Sequence, residues 1–316
     1  MGYQYIFGPV PSRRLGSSLG VDIVPFKTCS MDCVYCECGA TTCLTLERKE
    51  YIPVNDILKE LDGFLSTRPE LNYITFSGGG EPTLNSGIGR IISHLKSHYP
   101  HYKICLLTNS TFLGDRALIE ELKNIDLIVP SLDASTEEEF TAINKPPPSL
   151  KLSDIINNLL NFRKHSSALF WLELFIVPGV NDSDESIKRF VKIIKEIKPD
   201  KVQLTSLDRP GTENWVKSVS HESANLFLEA IKPHAEVEII AKFKYANNAS
   251  SEKNVSDNLE DKIMKLISRR PFTVEDILFA LPLNRALIES ALASLEKNGR
   301  ISTEKKDRGT FYRPKI

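Results

Sequence analysis

The sequence predicts an α/β fold: a partial (β/α)6 barrel of the TIM type, followed by a small C-terminal module with a winged-helix pattern. Three observations carry this expectation. Short apolar runs alternate with amphipathic helical stretches up to residue 240, and the short connections imply parallel strands joined by crossover helices. Polar or glycine-rich clusters follow the strand runs at 77–83, 108–110, 131–133, 179–182 and 205–209, the face where β/α barrels carry their chemistry. A polar, aperiodic stretch at 246–254 then separates a segment of different pattern.

Residues 1–26 are punctuated by Gly and Pro and read as a lead-in hairpin or strand, with 21–24 as the first core strand. A helix is expected over 53–66, where Val54, Ile57, Leu58, Leu61 and Leu65 recur at helical spacing and Pro53 suits the first turn. Strands are expected at 73–76, 103–108, 127–133, 169–177, 201–206 and 237–240. Helices are expected at 88–98, 115–122, 153–164, 183–197 and 221–231, with Asp182 or Ser183 capping the fourth. Beyond a linker at 246–255, three helices at 258–268, 273–280 and 285–298 precede two strands at 300–304 and 309–313. Gly299 suits the left-handed position after the third helix. Three helices and a hairpin form a winged-helix pattern. The expected domains are 1–245, a core barrel with its lead-in, and 256–316, the module.

The chain has 316 residues, 41% of them hydrophobic, enough for a large core. Its formal net charge of −1 argues against nucleic-acid binding through global charge. The N-terminal stretch lacks the charged region and apolar run of a secretory signal. No apolar run approaches the ~20 residues of a membrane span. The expectation is a cytoplasmic protein with no membrane partner, where clustered cysteines indicate metal or catalysis rather than disulfides.

Five of the six cysteines fall within residues 27–43. Cys29, Cys33 and Cys36 are spaced Cys-x3-Cys-x2-Cys, and thiolates that close in a loop can converge on a soft metal centre. Three ligands are one short of a closed zinc site and leave one iron of a four-iron cluster open. A zinc site completed by Cys38 or Cys43 is the alternative, but it leaves the glycine-rich and polar strand ends unexplained. Cys38 and Cys43 could ligate a second cluster, donate a hydrogen atom or simply pack. Packing is favoured, since a second cluster needs more ligands. Cys105, in an apolar strand, reads as core. His94, His98 and His101 read as an exposed helix end without a role.

The cysteine loop, with Tyr35 as the aromatic before the third cysteine, resembles the radical SAM superfamily over residues 15–245. The resemblance implies that Cys29, Cys33 and Cys36 hold a [4Fe-4S] cluster whose open iron binds S-adenosyl-L-methionine. It places Tyr35 beside the adenine and reads Gly78, Gly79, Gly80 and Glu81 as the family's Gly-Gly-Glu motif, with backbone holding the methionine amino group. Thr108, Asn109, Ser131 and Asp133 then contact ribose and methionine carboxylate. Val177 and Asn181 back the adenine and the ribose side, and Gln203 and Leu204 complete the adenine site. The implied chemistry is reductive cleavage of S-adenosylmethionine to a 5′-deoxyadenosyl radical that abstracts hydrogen, fed by a one-electron donor such as flavodoxin or ferredoxin.

The runs 11–16 and 207–211 look like a branch of iron–sulfur oxidoreductases compared with wyosine synthases, which modify a tRNA base. Arg13, Arg14, Lys145 and Arg209 are the candidate contacts for an anionic small molecule, nucleotide or RNA. The competing reading is an iron–sulfur regulator that binds DNA through the winged helix. It is disfavoured: residues 256–316 hold 12 Lys and Arg against 9 Asp and Glu, and the third helix offers few side chains suited to reading bases.

Overall fold

Period-two burial sorts the strands of this chain onto two faces. The computed structural model describes residues 3–240, 259–281, 283–306 and 308–315. β1 (Ile6–Ser12) and β2 (Gly16–Val21) form an antiparallel hairpin. β3 (Thr28–Cys29) and β4 (Cys43–Leu44) close the cysteine loop as a short ladder. Next come α1 (Val54–Leu65), β5 (Tyr73–Phe76), a 3-10 turn at Pro82–Leu84, α2 (Ile88–His98), β6 (Lys103–Thr108) and α3 (Arg116–Glu121). They are followed by β7 (Leu127–Pro130), α4 (Glu137–Asn144), α5 (Leu152–His165), β8 (Leu169–Phe175), α6 (Asp184–Ile197), β9 (Lys201–Thr205), α7 (His221–Ile231) and β10 (Val237–Ile239). The C-terminal part holds α8 (Leu259–Ile267), α9 (Val274–Ala280), α10 (Arg285–Lys297) and the hairpin of β11 (Ile301–Lys306) and β12 (Gly309–Pro314).

One sheet runs in the order β1-β2-β5-β6-β7-β8-β9-β10, parallel from β2 onward. Among the described residues its end strands have one neighbour each, so the sheet is open. Ile74, Phe76, Leu106, Leu172 and Leu204 pack with helix residues such as Ile57, Ile91, Leu159, Phe190 and Phe227 in the main core. The alternate strand positions turn away from the helices. There Leu15, Cys105, Leu127 and Val129 make a smaller apolar layer, and the Ser18 and Thr75 hydroxyls meet at 2.7 Å. Cys105 is buried, as expected.

The alternating pattern survives with three differences. The first core strand is Gly16–Val21 rather than 21–24, because pairing with β5 fixes its register from Ser18 to Val21. β7 ends at Pro130 rather than at 133, while the strand expected at 237–240 is present as β10, paired with β9. A helix, α4, appears in a stretch assigned to none. It is N-capped by Thr136, whose hydroxyl accepts from the Glu139 amide, and carries three acidic residues in its first turn. Ser183 is the cap of α6, as expected.

The expected linker at 246–255 lies outside the described residues. Past it, three helices and a hairpin appear as predicted, with Gly299 at φ +66° after α10. Ile263, Ile267, Ile277, Ile288, Leu292, Leu295 and Ile301 give this part its own core. It meets the sheet-bearing part of the chain through charge. Asp276 accepts from Arg209 at 2.5 Å and Arg308 at 2.6 Å, and Arg269 lies 3.0 Å from Asp22. Among the described residues no single helix is long and apolar enough to cross a membrane.

Asp276→Ala would leave Arg209, whose side chain is only 4% exposed, without its closest carboxylate. Breaking one partner from a buried pair typically costs about 3–5 kcal/mol. A lower midpoint in urea denaturation is the expected result, and an unchanged midpoint would show that the tie is idle.

Candidate metal and cofactor site

The cysteine loop leaves the barrel after β2 and is fixed mainly by hydrogen bonds to its neighbours. The Lys27 amide donates to Gly79 O at 2.8 Å and the Glu81 amide to Thr28 O at 3.1 Å, which lays residues 27–29 along the glycine loop. A Cβ on Gly80 would overlap the Thr28 carbonyl, and one on Gly78, at φ +149°, the Asp22 carboxylate. Only bare backbone permits this approach. On the other flank the Val34 amide donates to Ile143 O at 2.9 Å and the Asp32 amide to Asn144 O at 3.0 Å. The unforeseen α4 therefore forms one wall of the loop.

Each cysteine of the spacing motif meets a side-chain N–H donor. Asn109 Nδ2 points to Cys29 Sγ at 3.6 Å, Asn144 Nδ2 to Cys33 Sγ at 3.4 Å, and Lys27 Nζ to Cys36 Sγ at 3.1 Å. Such donors spread the negative charge of a ligating thiolate. Burial pushes the Cys29 thiol up to about 12 and the Cys33 thiol well above its ordinary value. Cys36 is pushed down to about 6 by its hydrogen bond with Cys38 and by the Lys27 ammonium.

Among the described residues, no three His, Cys, Asp or Glu side chains converge on a point that a single ion could occupy. A four-iron cluster holds each thiolate on a different iron and needs no such convergence. The donor chemistry fits a cluster: three thiols, each with an N–H donor, and a positive centre to offset the burial that opposes their ionisation. The glycine loop packs directly against Asp22, Phe26 and Thr28 beside them, with no space for side chains.

The other expected residues sit around this loop in different ways. Glu81 is buried, and its carboxylate accepts from Thr108 Oγ1 at 2.7 Å, the Asn109 amide at 2.8 Å and the Thr83 amide at 3.1 Å. It joins two strand ends. Tyr35 stacks on Phe175 with ring centroids 3.8 Å apart and donates to Asp133 Oδ2 at 2.5 Å. Asp133 also accepts from Asn144 Nδ2 at 2.8 Å and the Phe175 amide at 3.1 Å, while its burial raises its pKa. Ser131 is half-buried just past β7. Asn181 is fully buried, donating to Asp133 O and Phe175 O and accepting from the Val177 amide, all at 2.8 Å. Its side chain shapes the turn. Val177 packs in the apolar cluster that Tyr35 borders. Gln203 donates to Glu238 at 2.6 Å, with its carbonyl oxygen buried and unpartnered. The Leu204 side chain belongs to the helix-side core, so only its backbone faces the site.

Of the proposed substrate contacts, Arg14 pairs with Glu173, and Arg13 lies 3.6 Å from Asp208. Lys145 pairs with Glu213 just after α4. Arg209 is buried between Glu37 and Asp276. Cys43 is exposed in β4, away from the other thiols' burial, whereas Cys38 approaches Gly78 O at 3.7 Å. Sequence reasoning missed Lys27, Asn144 and Phe175. Lys27 stood beside the motif and could have been weighed. Asn144 comes into reach only through α4.

A family model described as the radical SAM superfamily matches residues 23–191, and the chain belongs to that superfamily. UPF0026 protein MJ1312 of Methanocaldococcus jannaschii is 31% identical over 93% of this chain and 94% of its own length. A Brachyspira hyodysenteriae protein named GTPase Obg is 31% identical over 95% of this chain, which spans only 43% of that relative. The ribosomal RNA large subunit methyltransferase Cfr of Lachnoclostridium phytofermentans is 26% identical over 54% of this chain and 49% of its own length. The crystal structure of a radical SAM methyltransferase from Sphaerobacter thermophilus shares the fold, with TM-score 0.55, 18% identity and coverage of 70% of this chain and 66% of that one. Enzymes of this superfamily use a [4Fe-4S] cluster and S-adenosylmethionine, and this chain is an enzyme of that kind.

Lys27→Gln removes a positive charge beside Cys36. It should move the cluster midpoint to more negative potential, on the order of tens of millivolts, with iron content retained; an unmoved midpoint would sever Lys27 from the cluster. Gly80→Ala should instead lower iron content by displacing residues 27–29, measured per chain after anaerobic reconstitution.

Proposed function

We propose that the protein cleaves S-adenosylmethionine reductively and uses the product to abstract hydrogen from an anionic substrate of nucleotide or RNA class. The observation that carries this reading is the set of three N–H donors, one to each motif sulfur. In this reading Cys29, Cys33 and Cys36 hold the cluster. When bound, cluster and S-adenosylmethionine together supply one-electron cleavage of a sulfonium. The chain's own residues bind, orient and exclude water.

Gly78, Gly79 and Gly80 present backbone to the amino acid portion. Tyr35, held flat on Phe175, Val177 and the backbone at 203–204 form the adenine side. Asn109, Ser131 and Asp133 border the ribose and carboxylate, with Glu81, Thr108 and Asn181 setting the strand ends behind them. Arg13, Arg14 and Arg209 border the substrate, and Lys145 flanks the loop. The N-terminal 245 residues act as the partial barrel core and residues 256–316 as a winged-helix-like unit. A one-electron donor such as flavodoxin or ferredoxin and a reducing cytoplasm suit six free cysteines. The similarity to an RNA methyltransferase supports the nucleotide or RNA class without naming the product.

The regulator reading gains no support. Arg269 and Arg308 of the C-terminal unit pair with Asp22 and Asp208 across the contact with the barrel, and Arg285 on α10 is tied to Glu275 and Glu289.

Reduced, reconstituted protein mixed with S-adenosylmethionine should release 5′-deoxyadenosine. Cys29→Ala, Cys33→Ala and Cys36→Ala should each bring this to background, while Cys43→Ala should not. A wild-type protein that binds iron yet forms no 5′-deoxyadenosine would sink the reading.

A further inference from the structure

A cavity of about 250 Å³ lies between the barrel and the C-terminal unit, beside the cysteine loop. Six cationic side chains line it: Arg13, Arg14 and Arg209 from the barrel, and Lys265, Arg269 and Arg270 from the C-terminal unit; no carboxylate does. Ser12, Ser18, Thr75 and Ser77 add hydroxyls, and Phe7 and Phe272 add apolar wall. Cys38 and Gly78 also line it, so the cavity opens onto the end of the cysteine loop two residues past Cys36.

The counter-charges stand behind the wall. Arg269 leans on Asp22 at 3.0 Å and Arg14 on Glu173. Glu37 is shared by Arg209 at 3.3 Å, Arg270 at 3.6 Å and Arg13 at 3.9 Å. Asp208 and Asp276 serve Arg13, Arg209 and Arg308. Among the described residues, seven cations, Arg308 included, face five carboxylates, an excess of two positive charges. Burial, with Arg13 beside it, pulls Arg14 down to about 10, and burial, then Arg209, lowers Arg270. Both are buried guanidiniums that stand close to another arginine. A guanidinium fork with hydroxyls is the donor set that takes a tetrahedral oxyanion.

We propose that this cavity binds the phosphate monoester of a small substrate, with Arg269 and Arg270 of the C-terminal unit completing the site. The inference rests on the cluster reading above, since only a cluster at Cys36 makes the cavity a reaction site. A dianion matches the excess of charge, and the enclosed volume suits a phosphorylated small molecule better than a polymer passing through. The C-terminal unit is then part of the active site, not a separate binding module.

The test uses the full, iron-loaded chain and inorganic phosphate as probe, against chloride and acetate at matched ionic strength. Calorimetry should show saturable phosphate binding, with acetate much weaker. Arg269→Gln and Arg270→Gln should weaken it at least tenfold with iron content unchanged. Lys265→Gln, which breaks none of the ion pairs named above, should weaken it a few-fold and serves if the arginine variants unfold. Lys195→Gln on the outer side of α6 should change nothing. Phosphate binding no tighter than chloride, or equal in all variants, overturns the proposal. So does binding of unmodified tRNA that needs Arg270 while phosphate does not bind. Release of 5′-deoxyadenosine is read in the same samples: phosphate binding without it refutes the cluster reading, and 5′-deoxyadenosine without phosphate binding refutes the cavity.

Discussion

The close approach of two backbone stretches, residues 27–29 and 78–81, sets the geometry of everything else. The Lys27 amide and the Thr28 carbonyl face Gly79 and Glu81, and the missing Cβ of Gly80 makes the distance possible. From there position passes along side chains. Glu81 anchors the Asn109 amide, and Asn109 in turn points its amide at Cys29. On the other flank Asp133 fixes Asn144, which donates to Cys33. Two sulfurs of the spacing motif are thus positioned by two different strand ends, each through one buried carboxylate. The carboxylates of Glu81 and Asp133 hold the amides that point at these sulfurs.

Burial is what makes that arrangement effective. Glu81 and Asp133 are both drawn up in pKa by desolvation, opposed by the hydrogen bonds they accept. In a low dielectric, a satisfied network is rigid and a broken one is costly. The same reasoning applies to the thiols, for which burial opposes ionisation until a positive centre is present. Residues 27–29, 32 and 34 are held by backbone hydrogen bonds to their neighbours, so the path of the loop is fixed by groups other than the thiols.

The fold was legible because its periods are clean. The helix at 88–98, the strand at 103–108 and the helix at 221–231 fall on the expected residues. Where the periodicity was weak, reading failed: α4 is eight residues with an acidic first turn and little apolar face, and its absence hid Asn144. The three motif cysteines stood out by their spacing, and each sulfur meets a side-chain N–H donor in the structure. The roles of Glu81 and Asn181 were not, since a polar residue at a strand end can face a ligand or its own turn, and only the hydrogen-bond partners decide. The ion pairs of Arg209 were equally hidden, because Glu37 and Asp276 lie 172 and 67 residues away in sequence.

Glu37 gives the charged cavity its mechanical meaning. It follows Cys36 directly, and its carboxylate is held by three arginines, one of them Arg270 from the C-terminal unit. Those same arginines line the cavity. An anion entering there competes with Glu37 for Arg13, Arg209 and Arg270, so the restraint on the residue beside Cys36 changes with occupancy. Linkage makes the effect reciprocal: whatever shifts the end of the cysteine loop alters anion affinity by the same factor. The C-terminal unit is then coupled to the sulfur loop through a single shared carboxylate, with no long path between them.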